Sequence, residues 1–274
     1  MFLGPGGGRF ATITQKRRTA GIRFINDEFN VHLDPGPGAL VHSLSSGLDP
    51  RKIDGILVSH AHPDHYTDAE VLVEAMTAGT VKRRGVLAAA RSVLRGGETA
   101  ESAISKYHQS LPEKVFEVTA GTEFEIKNVR IVGAEARHSD VDAVGFHLKT
   151  DVGSVGYTSD TEFLESIGHH YKGMRIMILC VLRPSSEPWK GHMTTDDAVK
   201  IVNLVRPEFA VLTHFGMKMI LRGPAEEAEK VERETGVRTV AARDGTELLV
   251  DEKIAVREFG EREGRMGLDE FLNK

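Results

Sequence analysis

Ser59-His60-Ala61-His62-Pro63-Asp64-His65 is the stretch on which the reading of this chain turns. It follows Ile56-Leu57-Val58, a short apolar run that reads as a buried strand and stops at His60. Residues 68–78, just beyond it, read as a helix. Four ligand-capable side chains, His60, His62, Asp64 and His65, fall within six residues. Neutral imidazoles and a carboxylate suit zinc or another first-row divalent ion. In an extended segment His60 and His62 point to the same side, and Asp64 and His65 then lie beside a second position. A histidine-rich surface loop is the other reading. The strand context, Pro63 and the later histidines weigh against it.

The surrounding chain is that of an ordinary globular protein, with 40% hydrophobic and 27% charged residues. Its 274 residues allow one large domain or two small ones at roughly 150 residues each. Such a chain buries roughly three quarters of its unfolded surface, so its core needs no staple. There is no repeat, low-complexity segment or long Pro/Ser linker, so one domain over 1–274 is expected, with a mostly helical insertion at about 80–112 that carries a strand candidate at 86–89. The single cysteine, Cys180, excludes a disulfide framework and a Cys-rich zinc module. A net charge of −5 and a pI near 6.2 argue against non-specific coating of nucleic acid or anionic membrane. Apolar runs such as 176–182 are far short of the roughly 20 residues that span a bilayer. Residues 1–9 lack the basic and apolar regions of a secretory signal. A cytoplasmic enzyme without membrane association is the expectation.

Strand signals fill the first half. Residues 22–25 and 30–33 flank the polar turn Asn26-Asp27-Glu28, and the second run ends in Asp34-Pro35-Gly36-Pro37-Gly38. Alternating runs follow at 115–118, 122–126, 129–132, 144–149 and 154–158. The second half alternates strand 175–182, helix 194–205, strand 210–213 and helix 224–234. Ala198, Ile201, Val202 and Val205 have the spacing of one buried helix face, and Thr194 or Thr195 can cap it. Asp196 and Asp197 suit its N-terminal end. This order suggests sheets at the centre with helices outside.

His-x-His-x-Asp-His directly after a strand resembles the signature of the metallo-β-lactamase-fold hydrolases. The resemblance implies an α/β fold, an αββα sandwich of two mixed β-sheets flanked by helices, with a metal centre at one sheet edge. In that family the remaining ligands come from later strand ends, and the chain offers His138 after the 129–132 run, Asp160 after 154–158 and His214 after 210–213. The resemblance then implies that His60, His62 and His138 bind one divalent ion. Asp64, His65 and His214 bind a second, with Asp160 bridging. Zinc is the first expectation for both ions, and manganese or iron also suit the His/Asp mix. Asp34 matches a family aspartate that orients a metal-binding histidine; a purely local turn role before Pro35 is the alternative.

Two such ions, about 3.5–4 Å apart, share a hydroxide and clamp attacking and leaving oxygens, a machinery that serves phosphodiesters, lactams, lactones and thioesters alike. Gly191-His192-Met193-Thr194-Thr195 looks like a segment of the phosphodiesterase branch, seen in RNase Z and the phosphoribosyl cyclic phosphodiesterases. There the matching histidine touches the scissile phosphate, so His192 is the expected general acid, an imidazole with an ordinary pKa near 6.5. Asp64 is expected to hold the second metal and orient the hydroxide. Asp160 stands where the true β-lactamases carry cysteine, which argues against antibiotic hydrolysis. His62 stands where the flavin-linked di-iron oxidoreductases carry glutamate, which argues against redox chemistry. Gly4-Pro5-Gly6-Gly7-Gly8-Arg9 reads either as an anion cradle or as a tight turn near the site.

The leading expectation is a dinuclear metal-dependent phosphodiesterase. The alternatives are a lactone or thioester hydrolase on the same centre, and a metal-dependent RNA-binding protein without turnover. Lys82, Arg83, Arg84, Arg91 and Arg95 form a basic stretch that is the support for RNA, and Trp189 or Phe215 could stack a base. No Gly/Pro-rich arm of the RNase Z type is found, so a small-molecule or terminal phosphodiester is preferred over tRNA. The physiological substrate, the metal used in the cell and any homo-oligomer are not fixed by the sequence.

Overall fold

Apolar runs and turn residues fold the chain into two mixed β-sheets. The computed structural model describes residues 1–97 and 101–258. Residues 98–100 of the expected helical insertion, and 259–274 of the expected domain, lie outside the described residues. The first sheet runs in sequence order: β1 (Phe2–Gly4), β2 (Gly21–Ile25), β3 (Asn30–Leu33), β4 (Gly55–Val58), β5 (Val86–Ala90) and β6 (Lys114–Val118). β1 to β3 pair antiparallel, and β3 to β6 pair parallel.

The second sheet contains β7 (Glu123–Ile126), β8 (Val129–Glu135), β9 (Val144–Thr150), β10 (Gly153–Tyr157), β11 (Ile176–Arg183), β12 (Met193–Thr194), β13 (Phe209–Thr213) and β14 (Arg238–Ala241). Its spatial order is β14-β13-β11-β10-β9-β8-β7, with β12 on β11. β7 to β10 are antiparallel, and β10, β11, β13 and β14 are parallel. A separate hairpin, β15 (Glu247–Val250) with β16 (Ile254–Arg257), follows.

β11 shows how the layers arise. It is buried along seven of its eight residues and reads as one continuous apolar run, as a strand covered on both faces must. Ile176, Ile178 and Cys180 face the core shared with Ile56, Leu57, Phe146 and Leu148 of both sheets. The alternate residues Met177, Leu179 and Val181 pack with Ala198, Ile201, Val202, Ala228 and Val231 of the outer helices. The helices are α1 (Gly8–Thr14), α2 (Ala39–Ser45), α3 (Pro63–Tyr66), α4 (Ala69–Met76), α5 (Arg91–Arg95), α6 (Lys106–Gln109), α7 (Glu165–His170), α8 (Thr195–Val205), α9 (Met217–Arg222) and α10 (Pro224–Thr235). Thr194 caps α8 through a reciprocal box: its hydroxyl accepts from the Asp197 N–H, and the Asp197 carboxylate accepts from the Thr194 N–H. No helix among the described residues is long and apolar enough to cross a membrane.

The 80–112 stretch is less helical than the sequence suggests. Among its described residues the helices are α5 and α6, and the strand candidate at 86–89 is β5, an interior strand of the first sheet. Val86-Leu87-Ala88-Ala89-Ala90 carries three alanines, good helix formers, but all five residues are buried between parallel neighbours, and tertiary packing overrides propensity. The short helices α1, α2, α7 and α9 and the strands β14 to β16 carry little periodic signal and emerge only in the fold.

A buried polar pair on β2 and β3 gives a pH-dependent term. Arg23 and His32 are both fully buried; the Arg23 Nη1 donates to His32 Nδ1 at 3.2 Å, and His32 Nε2 donates to the Ala20 carbonyl at 2.8 Å. Burial, with Arg23 beside it, depresses the His32 pKa from 6.5 to about 3. A histidine depressed in the folded state takes its proton more readily when unfolded. Its contribution is therefore present above pH 6.5 and is lost progressively as pH falls toward 3. Thermal unfolding midpoints should fall across that window, and less steeply in His32→Asn; parallel curves would remove His32 as a contributor.

Candidate metal centre

The carboxyl ends of β3, β4, β10 and β13 meet at one edge of the sandwich and deliver the site. Three residues just past strand ends, Asp34, Ser159 and His214, have φ of 51°, 57° and 59°. Left-handed backbone at non-glycine residues costs on the order of 1–3 kcal/mol each and is tolerated where surrounding structure enforces it. After β4 the chain bends at residues 60–62, His62 takes the N-cap position of α3, and Pro63 occupies the first helical turn. This break from strand to helix turns Asp64 and His65 away from His60 and His62 toward a second set of partners.

All seven expected ligands come together. His60, His62, His138 and Asp160 each bring one ligand atom to within 4.8 Å of one another, and so do Asp64, His65 and His214. In the first group His62 Nδ1 lies 3.1 Å from His60 Nε2 and 3.0 Å from His138 Nε2. In the second, His65 Nε2 is 3.1 Å from His214 Nε2, which is 3.2 Å from Asp64 Oδ2. Asp160 lies between them: Oδ2 is 3.9 Å from both His60 Nε2 and His138 Nε2 and 3.7 Å from His65 Nε2. His192 joins from the side, with Nδ1 3.5 Å from Asp160 Oδ2 and its ring 4.6 Å from that of His138. Asp160, His192 and His214 form a third compact group.

The outer hydrogen bonds decide what the inner nitrogens can be. His65 Nδ1 donates to Asp34 Oδ2 at 2.8 Å, and His138 Nδ1 donates to the Gly191 carbonyl at 2.7 Å. The Ser59 hydroxyl donates to Asp34 Oδ2 at 2.7 Å and is left to accept from His60 Nδ1 at 3.0 Å. In the neutral imidazoles these three Nε2 atoms therefore carry lone pairs, aimed at nitrogen and carboxylate neighbours. Buried Asp160 Oδ1 and His214 Nδ1 are 3.1 Å apart, yet neither is aligned for a hydrogen bond. Converging lone pairs in a buried site call for cations. Two nitrogens held tetrahedrally by zinc at about 2.0–2.1 Å lie about 3.3 Å apart, close to the separations found here. The residues fit divalent metal ions.

The electrostatics agree. Burial strongly lowers the pKa of His60, aided by His65, and burial with His138 beside it lowers that of His62, so both are held as neutral ligands. Burial disfavours charge on Asp160, but His214 and His65 overcome it and keep the carboxylate ionised; Asp64 is likewise held low by His65 and His214. His65 is pushed the other way: burial opposes its charge, but Asp34, Asp64 and Asp160 together raise its pKa well above 6.5. Three carboxylates around one imidazole demand positive charge, which a bound cation supplies in place of the proton. His192 departs from expectation. Burial, partly offset by Asp160, lowers its pKa from 6.5 to about 4, so it is neutral at pH 7 in the absence of ligand.

Asp34 is the centre of the supporting network, in agreement with its expected orienting role. Besides His65 and Ser59 Oγ it accepts from the Ser59 N–H at 2.7 Å and from the Tyr157 hydroxyl at 2.6 Å. Sequence reasoning missed Ser59, Tyr157 and the Gly191 carbonyl as partners. It also missed Asp140, which accepts from Ala61 N at 2.9 Å and Ser92 Oγ at 2.6 Å and so steadies the His60–His62 segment.

The glycine-rich loop resolves to the tight-turn reading. Gly6 N–H donates to Arg18, Gly7 N–H to Phe215 and Gly8 N–H to Asp64 Oδ2, so these three donors are taken and do not form an anion cradle. A Cβ on Gly7 would lie 2.2 Å from the His214 ring, so the loop is a glycine wall behind that ligand. Phe215 is fully buried and belongs to the core, whereas Trp189 is 58% exposed. The basic stretch is partly neutralised: Arg84 pairs with Asp54, Arg91 with Asp142 and Arg95 with Glu117.

Comparison with known proteins agrees with this architecture. Residues 29–215 match the sequence model of the beta-lactamase superfamily domain. An uncharacterized protein of Methanocaldococcus jannaschii is 41% identical over 247 residues, 89% of this chain and 92% of that protein. Among solved structures, the metallo-beta-lactamase fold protein YhfI from Bacillus subtilis is similar with a TM-score of 0.72 at 17% identity, covering 89% of this chain and 95% of that one. A diphosphatase from the PhnP family is similar with a TM-score of 0.65 at 20% identity, covering 94% and 96%.

Proposed function

This chain belongs to the beta-lactamase superfamily, and from that premise we propose that its paired His/Asp cluster is the dinuclear centre of a phosphodiesterase. The protein is a metal-dependent hydrolase. The observation that carries the finer reading is the position of Asp160 between two ligand groups, with His192 against it and beside His138. His60, His62 and His138 would hold one ion, Asp64, His65 and His214 the other, and Asp160 both; zinc is the first choice for imidazole-rich sites. When bound, the ions would activate a water and polarise the phosphoryl oxygens. One structural relative is a diphosphatase, which supports phosphoryl chemistry here. The same reading takes residues 1–274 as one domain.

The chain's own residues divide the remaining work. Asp34 and Gly191 fix the tautomers of His65 and His138 and so keep their Nε2 lone pairs aimed inward. Asp64 is locked by the Gly8 N–H at 2.6 Å. His192, neutral at rest, offers an N–H to a phosphoryl oxygen. An entering phosphate anion raises its pKa and makes a proton available to the leaving oxygen. Metal analysis coupled to a substrate panel tests this. Two equivalents of metal per chain are expected, with hydrolysis of bis-p-nitrophenyl phosphate that is lost on exhaustive chelation and restored by zinc or manganese. Full activity after chelation, or turnover of lactones or acyl thioesters in place of phosphodiesters, would overturn it.

A further inference from the structure

Trp189 is the chain's single tryptophan, and more than half of it is exposed. The Arg183 guanidinium lies over one face of its ring, 4.9 Å from the centroid, at the end of β11. The turn that carries it is anchored. The His192 N–H donates to the Trp189 carbonyl at 3.1 Å, closing a four-residue turn. Inside that turn, the Gly191 carbonyl accepts from the metal-site residue His138 at 2.7 Å. Upstream, Ser186 N–H donates to Asp196 Oδ2 at 2.8 Å and Glu187 pairs with Lys218 at 2.6 Å, which tie the segment to α8 and α9. One rigid segment therefore carries an aromatic ring, the acceptor that orients a metal-site imidazole, and His192.

From this juxtaposition we propose that Trp189 is a substrate-stacking platform, and that the substrates are phosphoric esters bearing a planar nitrogen heterocycle, as a nucleoside does. The proposal rests on the phosphodiesterase reading and specifies it. The first and last residues of such a turn have Cα atoms less than about 7 Å apart. A nucleotide carries base and phosphate on one ribose, a spacing that lets the base reach Trp189 while the phosphate meets His192. More than half of Trp189 is exposed, and the Arg183 guanidinium over the ring polarises it. Stacking of a base on an aromatic side chain strengthens binding by about 5- to 100-fold and tolerates any base.

The test compares adenosine 5′-monophosphate with ribose 5-phosphate on the metal-loaded protein, by calorimetry and by intrinsic fluorescence. Because Trp189 is the one indole, fluorescence reports on it alone. The nucleotide should quench it and ribose 5-phosphate should not. The nucleotide should bind about 5- to 100-fold more tightly. That ratio should collapse toward one in Trp189→Ala and largely return in Trp189→Phe. Equal binding of both ligands, with no quenching, overturns the platform and leaves the phosphoester site standing. Binding of neither ligand overturns the phosphoester reading and the platform with it. If Trp189→Ala alters self-association in sedimentation but leaves the ligand ratio intact, the ring serves a protein interface and the proposal fails.

Discussion

Asp64→Ala is expected to reduce turnover by at least about 100-fold while the fold persists. Asp64 Oδ2 accepts from Gly8 N–H at 2.6 Å and faces His214 Nε2 at 3.2 Å and His65 Nε2 at 3.7 Å. Removing even an outer partner of a metal ligand typically costs 10- to 100-fold, and loss of a ligand itself should cost more. The variant leaves one N–H without an acceptor, a destabilisation of about 1–3 kcal/mol, well within what a domain of this size tolerates. Metal content should fall from two equivalents toward one, with an unchanged far-ultraviolet circular dichroism spectrum. A soluble variant with two equivalents and full activity would remove Asp64 from the centre.

His192→Ala should separate metal binding from chemistry. His192 Nδ1 approaches Asp160 Oδ2 at 3.5 Å, and His192 belongs to neither of the two ligand groups that Asp160 lies between. The variant should retain both ions and lose roughly 10²–10⁴-fold in rate, the usual contribution of a general acid. The loss should be largest for an alkoxide or ribose leaving oxygen and should shrink for p-nitrophenolate, which needs little protonation. Asp160, His192 and His214 also converge, so a variant that loses metal would assign His192 as a ligand. An equal, small loss on both leaving groups would make it structural and weaken the case for phosphodiesters.

The site was legible where its chemistry is local. His60, His62, Asp64 and His65 are neighbours in the chain, and a strand followed by a turn leaves few ways to place them. His138, Asp160 and His214 became readable through their order after strands, a signal supplied by family resemblance rather than by spacing. Of the groups around the imidazoles Asp34 was legible, and the others were not. Tyr157 meets Asp34 across 123 residues, and Gly191 offers a backbone carbonyl, which has no sequence signature. His192 lies beside Asp160, and its depressed pKa has no signature in the sequence, because burial is a property of the assembled cavity. In the fold, β11 and α8 announced themselves through burial pattern and capping. β5 was legible as the apolar run at 86–89, but its three alanines, good helix formers, left the residues around it reading as mostly helical.

The second ligand group joins His65 to a partner 149 residues later, behind which the N-terminal glycine loop closes. Translation at about 5–20 residues per second separates the two by about 7–30 s. During that interval the nascent chain displays His60, His62, Asp64 and His65 with no His214 to complete the second pocket. Metal loading of the finished centre is therefore a late event in the life of the polypeptide.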